Sequence, residues 1–454
     1  MITTTTTAAD PAALPAFTSE QLAAHNTDAS LWVAIRGMVY DVTQFANRHP
    51  GGKDMLRIAA GRDATQMFEM YHPLETSKLL SKFRIGRLVS ARTPTFPEPS
   101  VFHRTIKQRV ELEFFKTRDL KNHLGAWIRY AVVFASLLVS YYLQFYSPVF
   151  SQSLWLQIPL AVILGFACAQ IGLNPLHDGT HCAITRSPLV WTILGSTHDF
   201  FNGTSHLIWI YQHVVGHHPF TNITGADPDI TTDIRRVEEQ QRWSPFYRYQ
   251  AYFIPVAYGL LALKFRLSDI KTLYITKSMD GHQINPPPLH HHLIFWGGKL
   301  FWAFYRVVLP LAFGVPLSTV LILLVVSDLV SSYWLSFTFQ ANHVVDDVLW
   351  PHPDKGGQIT MDWAEMQVQT TLDYAHESWF WTSTAGALNY QAVHHLFPGV
   401  NQHWYPAILD IVKETCKEFN IKYIIEPSFN QALRKHLSHL DKMGQEPKGS
   451  SKRD

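Results

Sequence analysis

The sequence predicts two joined units: a small α+β domain over residues 18–90, and an all-α integral membrane domain with four transmembrane helices capped on one face by clustered histidines. Three observations carry this. Only 16% of residues are charged, against about 25% in ordinary soluble domains. The stretch Tyr130 to His177 contains no Asp, Glu, Lys or Arg, and many of the 24 histidines recur at helical spacing. A chain of 454 residues exceeds one core. A net charge of +2 excludes a strongly basic nucleic-acid binder. Cys168, Cys182 and Cys416 are too few for a disulfide framework or a four-cysteine zinc site.

In chain order, residues 1–17 read as a disordered tail: a Thr3 to Thr7 run with no Lys or Arg lacks the basic start and apolar core of a signal peptide. Residues 91–125 form a linker and interfacial segment, stiffened at its start by Pro94, Pro97 and Pro99. The membrane domain occupies residues 126–430. Its first helical pair falls near 127–147 and 154–176, since about 20 residues cross a hydrocarbon core of about 30 Å. A second pair falls near 294–314 and 317–339, around the break Gly314-Val315-Pro316, with Lys299 and Arg306 inside its first helix. Residues 252–264 are apolar but too short to span, and should lie at the interface. Seven Lys or Arg residues between Arg104 and Arg129, against none at 148–153, put the N-terminal domain on the cytoplasmic side. Residues 431–454, including the Lys442 to Arg453 run, are expected as a polar tail on the same side.

Within the first domain, His49-Pro50-Gly51-Gly52 is followed by His72, with Gly61-Arg62-Asp63-Ala64-Thr65 between. Two neutral imidazoles on opposite faces of a haem fill both axial positions and make its iron an electron carrier. Glycines after His49 let the backbone pass the porphyrin edge. Upstream, Leu31 to Ile35 and Val39 to Val42 read as a hairpin turning at Gly37, ahead of a helix holding Phe45.

The membrane domain carries three boxes: His177-Asp178-Gly179-Thr180-His181, His213-Val214-Val215-Gly216-His217-His218 and Gln391-Ala392-Val393-His394-His395. Helical positions four apart share a face, so His177 with His181, and His213 with His217, can each aim at a common point. His218 and His395 can turn toward a second ion. Seven histidines exceed one tetrahedral zinc, and an adjacent haem argues for a redox metal; two irons that activate oxygen against an unactivated C–H bond fit both. His177 closes the second span, no complete span separates His181 from His213, and two separate His218 from His394. An even number of crossings therefore brings the boxes and the haem domain to one face. His343 closes the fourth span at the same depth and is a further candidate ligand, while Gln391 can ligate weakly or orient a ligand. His198, His206, His376, His403 and His290-His291-His292 have no partners at helical spacing and read as ordinary residues. A membrane-embedded site suggests a lipid chain as substrate.

Residues 18–90, including Ile85-Gly86-Arg87-Leu88, resemble the cytochrome b5 domain family, which implies haem b held by His49 and His72. HxxxH, HxxxHH and QxxHH resemble the membrane fatty acid desaturases, and Gln391 together with the haem domain resembles the front-end type. Thr197-His198-Asp199-Phe200-Phe201-Asn202-Gly203, Thr221-Asn222-Ile223-Thr224-Gly225-Ala226-Asp227-Pro228-Asp229 and Leu388-Asn389-Tyr390-Gln391-Ala392-Val393-His394-His395-Leu396-Phe397-Pro398 look like delta-5 desaturases of fungi and related microbes. The first box departs, reading HDGTH where those relatives usually read HDASH, yet keeps both histidines. The resemblance implies O2-dependent insertion of a double bond at C5 of 20-carbon polyunsaturated acyl chains, such as dihomo-gamma-linolenoyl to arachidonoyl. It implies two non-haem Fe ions, NADH-cytochrome b5 reductase as donor, an acyl-CoA or phospholipid acyl substrate, and the endoplasmic reticulum membrane. Delta-6, delta-4 and sphingolipid delta-8 desaturases share the pattern, and a lipid hydroxylase uses similar boxes. A non-enzymatic electron carrier or metal transporter would place ligands near the bilayer midplane, whereas these sit at span ends.

Overall fold

The computed structural model describes residues 14–447. Most of the expected tail lies outside them, but Ala16–Phe17 forms a strand, β1, so the folded part includes residues before 18. With β2 (Asn26–Thr27), β3 (Ser30–Ile35), β4 (Met38–Asp41) and β5 (Arg84–Leu88) it makes a sheet in the order β1-β5-β4-β3-β2. Arg36 and Gly37, at φ 49° and 70°, give the two-residue turn whose twist suits a hairpin, and pair Ile35 with Met38 and Val33 with Tyr40. Leu31, Val33, Ile35 and Tyr40 bury against Ala60, Ala64 and Phe68. Helices Lys53–Ala59 and Thr65–Tyr71 thereby stand with their ends carrying the sequence around His49 and His72.

The proline-rich linker leads into helix Val101–Val110 and a π turn, Glu111–Phe115. Phe102, Ile106, Val110 and Phe114, three to four residues apart, bury one face against the C-terminal part of the chain. Much of the expected interfacial segment is thus packed protein.

Among the described residues three helices, rather than the expected four, are long and apolar enough to cross a membrane: Leu124–Tyr146, Leu154–Thr180 and Leu317–His343. At 27 residues each, the last two extend about 40 Å, roughly 10 Å beyond a hydrocarbon core. His177 and His343 lie at or near the C-terminal ends of these two helices. The two lie very close: a Cβ on Gly165 would fall 2.3 Å from the Ser327 carbonyl, the approach that small residues permit between membrane helices. The region expected to hold the remaining span is helical, Leu289–Ala303 continuing through a π turn, Phe304–Val308, into Leu309–Ala312, but it falls outside the set of sufficiently apolar helices. Both of its charged side chains find polar partners inside the fold. Lys299 lies 3.3 Å from Asp269, and Arg306, 4% exposed, donates to Ser327 inside the bundle.

Residues 250–270, which include the segment expected at the interface, form short helices whose Tyr252, Val256, Leu260, Leu263 and Leu267 are exposed. The expected polar tail from 431 is instead mostly helix, Phe429–Gly444. Phe429, Ala432, His436, Leu440 and Met443 bury one face, and His439 Nδ1 pairs with Asp346 at 2.8 Å. Its overall polarity conceals a 3-4 repeat.

Candidate metal centres

Helix Thr65–Tyr71 ends at His72, and the turn at Gly51-Gly52 holds His49. The two rings are 5.9 Å apart between centroids. His49 Nδ1 donates to the Gly52 carbonyl and His72 Nδ1 to that of Phe68, each at 3.1 Å. Both Nε2 atoms are left for a shared ion. A Cβ on Gly51 would fall 2.7 Å from His49 Cε1, so glycine is what leaves that imidazole in place. Burial lowers His49 and takes His72 down to about 4, keeping both neutral, as metal ligation requires. These residues fit haem, and the domain binds it.

The three boxes and His343 meet in one buried cluster. His177, His181, His213 and His394 offer nitrogens within 4.8 Å of one another, as do His217, His343 and His395. His218 stands between the groups, its Nε2 3.2 Å from that of His213, and it also groups with His394 and His395. One pairing differs from the expectation: His213 and His217 stack with centroids 5.5 Å apart, but join different groups and share only Asp229. Their segment, Ile210–His217, is a π-helix, and another π turn, Gly172–Leu176, precedes His177. Such windings re-aim side chains at functional sites.

What orients the rings is a set of partners that no periodicity marked. Tyr71 holds Nδ1 of His181 at 2.8 Å, Asp227 that of His217 at 3.0 Å, Thr370 that of His343 at 3.2 Å, Tyr405 that of His394 at 3.1 Å, and Gln367 that of His395 at 2.7 Å. With Nδ1 turned outward, Nε2 points in. The Nε2 atoms of His177, His181 and His394 are buried without a hydrogen-bond partner, an arrangement costing about 1–3 kcal/mol each unless something accepts their lone pairs. Gln391 places its amide 2.9 Å from His343 Nε2 and 3.1 Å from His395 Nε2, donating where a cation would sit. Burial opposes charge on His217, but Asp227 and Asp229 raise it to about 9. Burial, reinforced by neighbouring histidines, holds His218, His394 and His395 well below the ordinary range. A pocket of imidazole donors with carboxylates behind it fits two iron ions.

The histidines set aside from the sequence stay apart from this cluster. His198 pairs with Asn202, His376 with Asp373, and His403 stacks on His123. His206 is buried against Gly195. His290 and His291 face Asp54 of the haem-bearing domain at 3.0 and 3.6 Å.

The family description "Fatty acid desaturase" matches residues 153–427, and "Cytochrome b5-like Heme/Steroid binding domain" matches 18–89. The chain is 54% identical over 438 residues to "Acyl-lipid (8-3)-desaturase" of Mortierella alpina, covering 95% of this chain and 98% of that one. It is 41% identical to a protein of the same description from Physcomitrium patens (95% and 92%), and 37% identical to "Delta(5) fatty acid desaturase A" of Dictyostelium discoideum (94% and 93%). With its buried histidine clusters and its bis-histidine domain, this chain belongs to the fatty acid desaturase family of oxidoreductases and carries a fused cytochrome b5-like haem domain.

Proposed function

We propose that this protein is a front-end acyl-lipid desaturase that introduces a cis double bond at C5 of 20-carbon polyunsaturated chains. The observation that carries the reading is the cluster of eight buried histidines, five of them with Nδ1 held by an outward partner, lying against a haem-binding domain. The regiochemistry is supported by the (8-3) and Delta(5) relatives, which align over nearly the full chain. By contrast, "sn-1 linoleoyl-lipid 6-desaturase" of Synechocystis is 29% identical over 79% of this chain.

In this reading His177, His181, His213 and His394 hold one iron, His217, His343 and His395 the other, and His218 lies between them. Gln391 adjusts the second set. Bound there, two irons supply the oxidising chemistry that breaks an unactivated C–H bond. The overall change is balanced: one O2, two electrons and two protons remove two hydrogens from C5 and C6 and yield two waters. Trp209, Phe339 and Leu388 form the apolar part of a small, otherwise polar crevice beside His217 and His343, and help to keep bulk water from the cluster. Asp227, Tyr405, Gln367 and Thr370 fix the tautomers of the ligands they touch. The remaining helical segment, Leu289–Ala312, is the fourth crossing, its charges buried against neighbours. Four crossings leave the haem domain and the cluster facing the cytoplasm of the endoplasmic reticulum membrane, where NADH-cytochrome b5 reductase reduces the haem.

Feeding a defined 20-carbon triene to a host expressing the protein tests this. A new double bond at C5 is expected. A new bond elsewhere would move the assignment to a delta-6, delta-4 or delta-8 enzyme, and a hydroxylated product would identify a hydroxylase.

A further inference from the structure

One side chain joins the haem-ligand segment to the histidine cluster. Tyr71 directly precedes His72 at the end of its helix, and its hydroxyl lies 2.8 Å from Nδ1 of His181. Its ring packs into two hydrophobic clusters of the desaturase domain. Gly399 admits it: a Cβ there would fall 3.0 Å from Tyr71 Cδ1. The interface around it is built rather than loosely tethered. Asn285 donates to the backbone carbonyls of Arg57 at 2.7 Å and Ala60 at 2.8 Å, and Lys107 reaches the Glu69 carbonyl at 2.8 Å.

We propose that electrons enter the non-haem centre at His181 by way of Tyr71, whose hydroxyl is the positioning group for the transfer. This rests on the ligand assignments of His72 and His181 made above. A histidine bound through Nε2 keeps its proton on Nδ1, so His181 donates to the Tyr71 oxygen. The route from His72 is then continuous: one stretch of backbone, one aromatic ring, one hydrogen bond. Each transfer moves a single electron, oxidising ferrous haem to ferric and reducing one ferric non-haem iron to ferrous. No bond breaks, and Tyr71 and His181 keep their protons. Two transfers supply the two electrons of a turnover.

The test compares full-length wild type with Tyr71→Phe, both loaded with haem and iron, without oxygen or acyl chain. The haem is reduced by a light flash and its re-oxidation followed by absorbance, so that electron transfer is read apart from desaturation. Unchanged haem spectrum and iron content are expected in the variant, with re-oxidation slowed by about tenfold or more, the scale of losing a group that orients a metal ligand. Equal protease sensitivity of residues 91–99 in the two proteins would show that the domains remain docked. An unchanged rate with iron retained would overturn the proposal. Iron loss from the variant would also overturn it, because the hydroxyl would then be a support for the ligand only. Wild-type protein devoid of non-haem iron would instead sink the ligand assignment, and the route with it.

Discussion

Replacing Asp227 by Asn removes one charge while keeping the shape of the side chain. Asp227 is fully buried and both carboxylate oxygens lie 3.0 Å from His217 Nδ1. One oxygen also accepts from the Asp229 N–H at 2.9 Å, the other from the Asn222 N–H at 2.8 Å. A carboxamide keeps only one acceptor, so either a backbone N–H or His217 meets an N–H2 group instead. The carboxylate that favours positive charge at His217 is lost as well. Groups that orient a metal ligand are typically worth about 10- to 100-fold in metal affinity, or roughly 1.4 to 2.8 kcal/mol. Titrating iron-free protein with ferrous ion against a chelator should therefore show affinity falling by about that factor, while the haem spectrum, some distance along the chain, stays the same. Affinity equal to that of the wild type would refute the claim that Asp227 tunes the site through His217.

Other outcomes follow from the same geometry. His177→Ala or His394→Ala should abolish desaturation with the haem absorbance intact, measured by product analysis and spectroscopy on one preparation. His49→Ala or His72→Ala should do the reverse, removing the haem signal while non-haem iron remains by metal analysis. In iron-free protein, His217 is raised from 6.5 to about 9, so its stabilising contribution is complete below the lower value and is lost as pH rises through the upper one. The melting temperature should fall across that window, and the fall should flatten in Asp227→Asn. Gly165→Val would drive a side chain into Ser327, overpacking that costs about 1–3 kcal/mol or more, visible as a lower melting temperature.

The histidines that the fold gathers were legible in the sequence because ligation calls for particular side chains, and the HxxxH, HxxxHH and QxxHH boxes place them at helical spacing. Their outward partners were not, because an Nδ1–H accepts any carboxylate, hydroxyl or carbonyl that folding delivers. Tyr71 is 110 residues from His181, and Gln367 is 28 from His395, with no motif linking them. The hairpin at Arg36-Gly37 could be read from its alternation and turn. The helix at Phe429–Gly444 was hidden by averaging, since the exposed Gln431, Arg434, Asp441 and Lys442 make the segment polar while Phe429, Ala432, Leu440 and Met443 are buried. Lys299 and Arg306 lower the apolar character of their helix, and only the fold reveals Asp269 and Ser327 as their partners.

That the eight clustered histidines hold an iron centre, and that this centre desaturates an acyl chain with electrons from the chain's own haem, is the proposal on which the other outcomes depend. Metal and product analysis of one purified full-length sample tests it most directly, using NADH, cytochrome b5 reductase, oxygen and a lipid bearing a 20-carbon triene. Two non-haem irons for each haem and a new C5 olefin are expected, with both irons and olefin reduced in His394→Ala. Full olefin formation by a His394→Ala protein, or a wild-type protein that desaturates without non-haem iron, would contradict it.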